Sequence, residues 1–325
     1  MGDDTRGRHR PATSVHVLQP REVPLGGIRA LTVRRTLPHR DRAFVGAWCF
    51  VDHYGPTQVG GANDGGMDVP PHPHTGLQTV SWLFAGEVEH RDSAGVVALV
   101  RPGEVNLMTA GSGIAHSEVS TPATTVLHGV QLWVALPEQA RHVGQGFDHF
   151  APESVALPGE AGTALVFVGE LAGLARSPVP THTPLLGAQL DLLPGARLVL
   201  AVDAAYEHGV LVDTGAVSMD GTDLEAGDLG CRDPGPGRLE LEAGSGGARL
   251  RVLGGAPFDE EIVMWWNLIA RTHDEIVALR EEWEAGSDRF GQVPGYAGAR
   301  QRIPAPPIPP VRLRPRGGQH RSGRG

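Results

Sequence analysis

Apolar and polar positions alternate over short stretches of this chain and almost nowhere recur at helical spacing. Alternation puts successive side chains on opposite faces of an extended backbone. It predicts strands at Ser14–Leu18, Gly27–Leu37, Leu77–Phe84, Val96–Val100, Val105–Thr109 and Leu127–Leu136. Gly, Pro or Asp turns bound each one, as at Ala85-Gly86 and Arg101-Pro102-Gly103. A second β-rich run covers roughly 163–255. The pattern predicts one helix, late in the chain. Thr272 and Glu275 have capping-box spacing, Ile276, Leu279 and Trp283 share a face, and Gly286 is placed to end it. The pair Trp265-Trp266 reads as core packing in preference to a substrate wall.

A faint repeat links the two β-rich runs. Gly86-Glu87-Val88 is followed by Pro102-Gly103-Glu104, and Gly215-Ala216-Val217 by Ala226-Gly227-Asp228. Two copies of one small barrel would explain it. The expected divisions are a disordered N-terminus (1–13), a first barrel (14–145), a connection rich in Pro, Gly and charge (146–162), a second barrel (163–298) and a disordered Arg/Pro-rich tail (299–325). Ile303–Pro315 in that tail is expected to be mobile.

Composition narrows the classes. With 325 residues and 40 % hydrophobic positions, the chain can build two packed domains. Gly (45) and Pro (27) suit many strands joined by turns. The net charge is −9, yet residues 289–325 carry eight Arg and no acid, so the body is strongly acidic. An acidic body argues against direct nucleic-acid binding. Every basic residue is Arg, which is read as genome composition. Cys49 and Cys231 are too few for a disulfide framework, and free thiols suit the cytoplasm. The polar first residues hold no signal core. No run approaches the about 18 apolar residues of a membrane span.

Chemistry concentrates in two short motifs. Pro71-His72-Pro73-His74-Thr75-Gly76 holds two His at i, i+2, which in a strand share a face. Gly111-Ser112-Gly113-Ile114-Ala115-His116-Ser117-Glu118 ends in a second i, i+2 pair after glycines that let the backbone turn tightly. Two such strands facing each other would bring three imidazoles and one carboxylate to one divalent first-row metal. The set lacks Cys, which weakens the case for structural zinc. It approaches the two-His, one-carboxylate iron pattern and leaves about two coordination positions for O₂ and a substrate oxygen. His90 either reaches the pocket behind a ligand or sits in a surface turn; the sequence leaves both open.

At these residues the chain resembles the pirin family of the cupin superfamily, from about Arg34 to Trp283. The motifs that carry the likeness are His72-Pro73-His74-Thr75-Gly76, Gly86-Glu87-Val88-Glu89-His90-Arg91-Asp92-Ser93 and Met108–Glu118. The resemblance implies an all-β fold of two stacked cupin (jelly-roll) barrels with a short C-terminal helix, and metal only in the first barrel. It implies the ligands His72, His74, His116 and Glu118, with Fe(II) favoured over other divalent ions. Gln78 departs from the Glu usual there in the family, and cannot act as a base. Near the matching part of the second barrel only His208, beside Glu207, could be a ligand, so that barrel is expected to be structural.

The resemblance also implies two functions. The first is a quercetin 2,3-dioxygenase-like oxidoreductase acting with O₂ on a small flavonol- or catechol-like aromatic, with Glu118 as a candidate base. The alternative is an iron-dependent redox-sensing protein that binds a transcription factor or metabolic enzyme without catalysis. A cytoplasmic monomer without membrane attachment is the expected setting for either.

Overall fold

The computed structural model describes residues 14–24, 31–60, 66–171 and 173–317. The segments 1–13 and 318–325, for which disorder is expected, lie outside the described residues. Two β-barrels pack face to face, and the resemblance's two-barrel architecture holds. The first combines a seven-stranded antiparallel sheet with a four-stranded one, and the second is built from a ten-stranded sheet.

The alternating stretches become strands close to their expected bounds, except that residues 27–30 of the Gly27–Leu37 stretch lie outside the described residues. Thr32–Leu37, Leu77–Ala85, Val97–Val100, Val105–Thr109 and Val126–Ala135 all belong to the first barrel. The helix is His273–Ala285. The Thr272 side chain accepts from the Glu275 N–H, and Gly286 ends the helix in the left-handed region at φ 69°. Only half of the capping box forms, because Glu275 accepts from the Arg271 N–H instead of the cap's own.

The barrels are less sequential than expected. His16–Leu18 pairs with Leu229–Arg232 of the second barrel. Gly146–Phe150, placed by sequence in the connection, pairs with Val105–Thr109 and extends the first barrel. The hairpin Val263–Trp265/Leu268–Ala270 and the helix both pack on Ala115 of the first barrel. Each terminal part of the chain thus crosses to the other barrel.

Residues 299–317 are ordered against the first barrel, contrary to the expected mobility. The Ile303 N–H donates to Pro71 O at 2.8 Å, and Trp283 Nε1–H donates to Ile303 O at 2.9 Å. Ile262 and Arg316 form a two-way antiparallel bridge. Proline prevents regular structure in this segment but not docking: apolar Ile303, Ile308 and Leu313 pack at hydrophobic clusters of the body.

One apolar core runs through the barrel–barrel contact, with Trp48, Trp82, Phe167, Leu211 and Leu253 buried together. Several polar side chains along it are paired. Trp48 Nε1–H donates to Leu186 O at 3.1 Å, and Arg42 donates to Glu207 at 2.7 Å. Asp213 of the second barrel lies 2.7 Å from Nε2 of both His53 and His128 of the first, and Arg249 bonds its other oxygen. Burial pushes the Asp213 carboxyl up, but hydrogen bonds from His128 and His53 outweigh it and hold the group well below the usual carboxylate range. The cluster also gathers Arg34 against His53, and Arg251 over Phe84 beside Arg249. This concentration of cations makes it a charged joint, not a cation site.

Removing the Asp213 charge takes from those guanidinium groups the anion at the centre of the cluster. Asp213→Asn is expected to lower stability by about 3 kcal/mol, read from urea unfolding. A loss below about 1 kcal/mol, the range of an exposed pair, would contradict this role.

Candidate metal centre

Three imidazoles meet inside the first barrel because of strand register. Asp68–His74 pairs antiparallel with Ile114–Ser120, setting His72 directly opposite His116 and Ile114 opposite His74. Asp68–His74 is the edge of the four-stranded sheet, where its three prolines cost no ladder bonds on a central strand. The register then shifts. Glu118 stands opposite Val69, so the Pro70-Pro71 stretch carries one residue more than its partner. That bulge takes two carbonyls out of the ladder. Pro70 O accepts from His72 Nδ1–H at 2.9 Å, and Pro71 O accepts from Ile303.

These acceptors fix the tautomers. A carbonyl can only accept, so His72 carries its proton on Nδ1. His74 does likewise, donating from Nδ1 to Asn267 O at 2.9 Å. Both Nε2 atoms are left with bare lone pairs. His74 Nε2 faces His116 Nε2 at 3.0 Å. Lone pairs at that distance repel unless a cation lies between them, which fits a metal.

His116 is oriented through a longer chain. Its Nδ1 lies 3.3 Å from His90 Nδ1, and His90 Nε2 lies 3.2 Å from Asp92 Oδ2. With Asp92 accepting from His90 Nε2–H, His90 Nδ1 accepts from His116 Nδ1–H, and His116 Nε2 is free for a metal. Asp92 is fully buried, and its other oxygen accepts from the Ala94 and Val96 N–H groups. His90 therefore stands behind a candidate ligand, the inward alternative left open by the sequence. Asp92 was missed, although its spacing two residues after His90 was there to be read.

The ligand atoms of His72, His74 and His116 all lie within 4.8 Å of one another. Glu118 is not part of that close group. It lines the same cavity, with Ser81 Oγ donating to it at 3.3 Å. The cavity is about 310 Å³, at the small end of ligand pockets. Phe50 and Trp133, stacked at 3.9 Å, and Trp266 supply aromatic walls. Trp265 and Trp266 pack, half-buried, against the apolar cluster around Ala115, as expected, and Trp266 also lines this cavity from a hairpin turn at φ +52°, a strained conformation of the kind stored at functional sites. Ile303 of the tail closes another side. Gln78 donates to Thr109 away from this lining.

Residues 30–134 match the Pirin family model, and residues 187–291 match the Pirin C-terminal cupin domain. A Caulobacter vibrioides pirin-like protein is 35 % identical over 78 % of this chain and 88 % of its own length. This chain belongs to the pirin family. A Pseudomonas aeruginosa relative with a provisional quercetin 2,3-dioxygenase name is 41 % identical over 94 % of this chain and 96 % of its own. The crystal structure of a quercetin 2,3-dioxygenase from Acinetobacter baumannii superposes with a TM-score of 0.85 and 37 % identity, covering 93 % of this pirin and 97 % of that chain.

Burial also holds the histidines neutral. It lowers His72 to about 4, against the Pro70 hydrogen bond, and takes His74 and His116 well below the ordinary value. Neutral imidazole is the ligand form. Burial pushes the Glu118 carboxyl up, making it a stronger base than an exposed glutamate.

Two outcomes follow. In metal-free protein the unfolded histidines take protons below about 6.5, while His72 in the fold resists until about 4. The unfolded state then binds more protons, so stability falls as pH drops through that window. Denaturant melts should show a shallower fall for His72→Ala; identical pH slopes would contradict the assignment. Asp92→Asn keeps the loop-capping oxygen but can turn a donor toward His90 Nε2. Metal affinity, read by chelator competition, is expected to drop about 10- to 100-fold; unchanged affinity would break the proposed chain.

Proposed function

We propose that this pirin is an Fe(II)-dependent dioxygenase of the quercetin 2,3-dioxygenase type, taking O₂ and a flavonol- or catechol-like aromatic. The observation that carries the proposal is the fixed tautomer pair: His72 and His74 donate from Nδ1 to carbonyls, which leaves both Nε2 atoms bare in a group whose ligand atoms lie within 4.8 Å of one another and that includes His116. His72, His74 and His116 would hold the ion, with Glu118 as the fourth ligand from the same cavity wall. A divalent ion there supplies Lewis acidity toward a substrate oxygen.

The protein's own groups account for the rest. The stacked Phe50–Trp133 pair and Trp266 offer flat faces to a planar aromatic. Arg35 lies 4.3 Å over Phe50 and is held by Asp52 at 2.6 Å, so it stiffens that wall. Glu118, raised by burial, takes the proton from the substrate hydroxyl onto its carboxylate. Trp266 and Ile303 line the same cavity and would limit water around a bound aromatic. The P. aeruginosa and A. baumannii relatives support the substrate class by name, at 41 % and 37 % identity.

Iron-loaded protein incubated aerobically with quercetin should bleach the flavonol and release carbon monoxide. Glu118→Gln should keep most of its metal and lose about 10²- to 10⁴-fold in rate, the range for a general base. No turnover across several flavonols and catechols by the metal-loaded chain would sink the enzymatic reading and leave the redox-sensing one. Full activity in Glu118→Gln would remove the base alone.

A further inference from the structure

A second cavity lies in the other barrel. It measures about 550 Å³ and opens among Leu171, Leu185, Leu186, Asp203, Tyr206 and His208, well within the range of small-molecule sites. His208 is 1 % exposed, and neither ring nitrogen has a hydrogen-bond partner. A buried polar group without a partner costs about 1–3 kcal/mol, so such groups call for a ligand.

Strand alternation explains its isolation. In Glu207–Met219, Glu207 points to the barrel–barrel contact, where Arg42 and the Gly46 N–H occupy both its oxygens. His208 faces the opposite way, into the cavity. Its cross-strand neighbour Gly254 leaves the imidazole room, since a Cβ there would stand 3.3 Å from His208 Cδ2. Tyr206 lies beside it, ring centroids 6.3 Å apart and tilted by 32°.

The chemistry selects among ligands. No group of three ligand atoms that includes His208 converges here among the described residues, which disfavours a metal. Burial and the charge of Arg232 keep the imidazole neutral, lowering it to about 4, so it offers one donor and one acceptor. Both nearby cations are neutralised, Arg176 by Glu170 at 2.7 Å and Arg232 by Asp220 at 2.6 Å, and Asp203 adds a further negative charge. An anion is therefore unwelcome. The leucines favour an apolar body, and Tyr206 a flat one.

We propose that the second barrel is a binding barrel, taking one small uncharged phenol whose hydroxyl bonds to His208. It needs nothing from the dioxygenase reading, because the two cavities share no residue.

The test is saturation-transfer NMR on the full-length chain with p-cresol as probe. In a His74→Ala background, which disables the first site, p-cresol should still bind. His208→Phe keeps a ring of similar shape and loses no hydrogen bond, so its melting point should be unchanged or higher while p-cresol binds at least tenfold more weakly. Tyr206→Ala, at the half-exposed edge, should weaken binding several-fold. Benzoate should bind at least tenfold more weakly than p-cresol. The proposal is overturned if wild-type protein gives no transfer, if a folded His208→Phe binds as well as wild type, if Tyr206→Ala has no effect, if His74→Ala abolishes binding, or if benzoate matches p-cresol.

Discussion

The account rests on where two imidazole protons go. His72 and His74 each give the Nδ1 proton to a backbone carbonyl, of Pro70 and of Asn267. Everything about the first site follows from the bare Nε2 atoms this leaves. The two acceptors come from different parts of the chain. Pro70 O is released by a bulge next to the histidines, whereas Asn267 O arrives from a hairpin almost two hundred residues later. The site therefore forms only once the hairpin has docked on the first barrel, and folding of the chain's later part is coupled to ligand geometry.

That coupling gives the terminal crossings a purpose. The turn of the hairpin orients His74 and places Trp266 on the cavity wall. The Trp283 side chain anchors the carbonyl of Ile303, whose side chain closes the cavity. The second barrel is held to the first by the shared apolar core and by Asp213 between His53 and His128. The three histidines lie on strands other than those of His53 and His128, so the joint can carry buried charge without disturbing the ligands.

Much of this was legible in the chain. Alternation marked the strands Leu77–Ala85, Val97–Val100, Val105–Thr109 and Val126–Ala135, and the cap signals marked the helix, because in both cases local pattern and tertiary burial agree. The strand Trp48–Gln58 escaped because Asp52 and His53 interrupt its apolar run. They are buried there only through Arg35 and Asp213, partners invisible locally. The docking of Ile303 escaped for the converse reason: proline content forbids regular structure, and a docked irregular strap has no periodicity. At the site, the three histidines were readable from i, i+2 spacing. The departure of Glu118 from their close group was not, since a bulge at Pro70-Pro71 leaves no mark in spacing. Asp92 acts only through His90, and His208 stands out only once its strand and cavity are seen.

The most direct test of the central claim is elemental analysis of the full-length protein purified without added metal, beside His74→Ala and His208→Phe. The account predicts about one divalent first-row ion per chain in the parent and in His208→Phe, and a near-complete loss in His74→Ala. Stoichiometric metal that survives the loss of His74, or that disappears with His208, would place the ion elsewhere and contradict it.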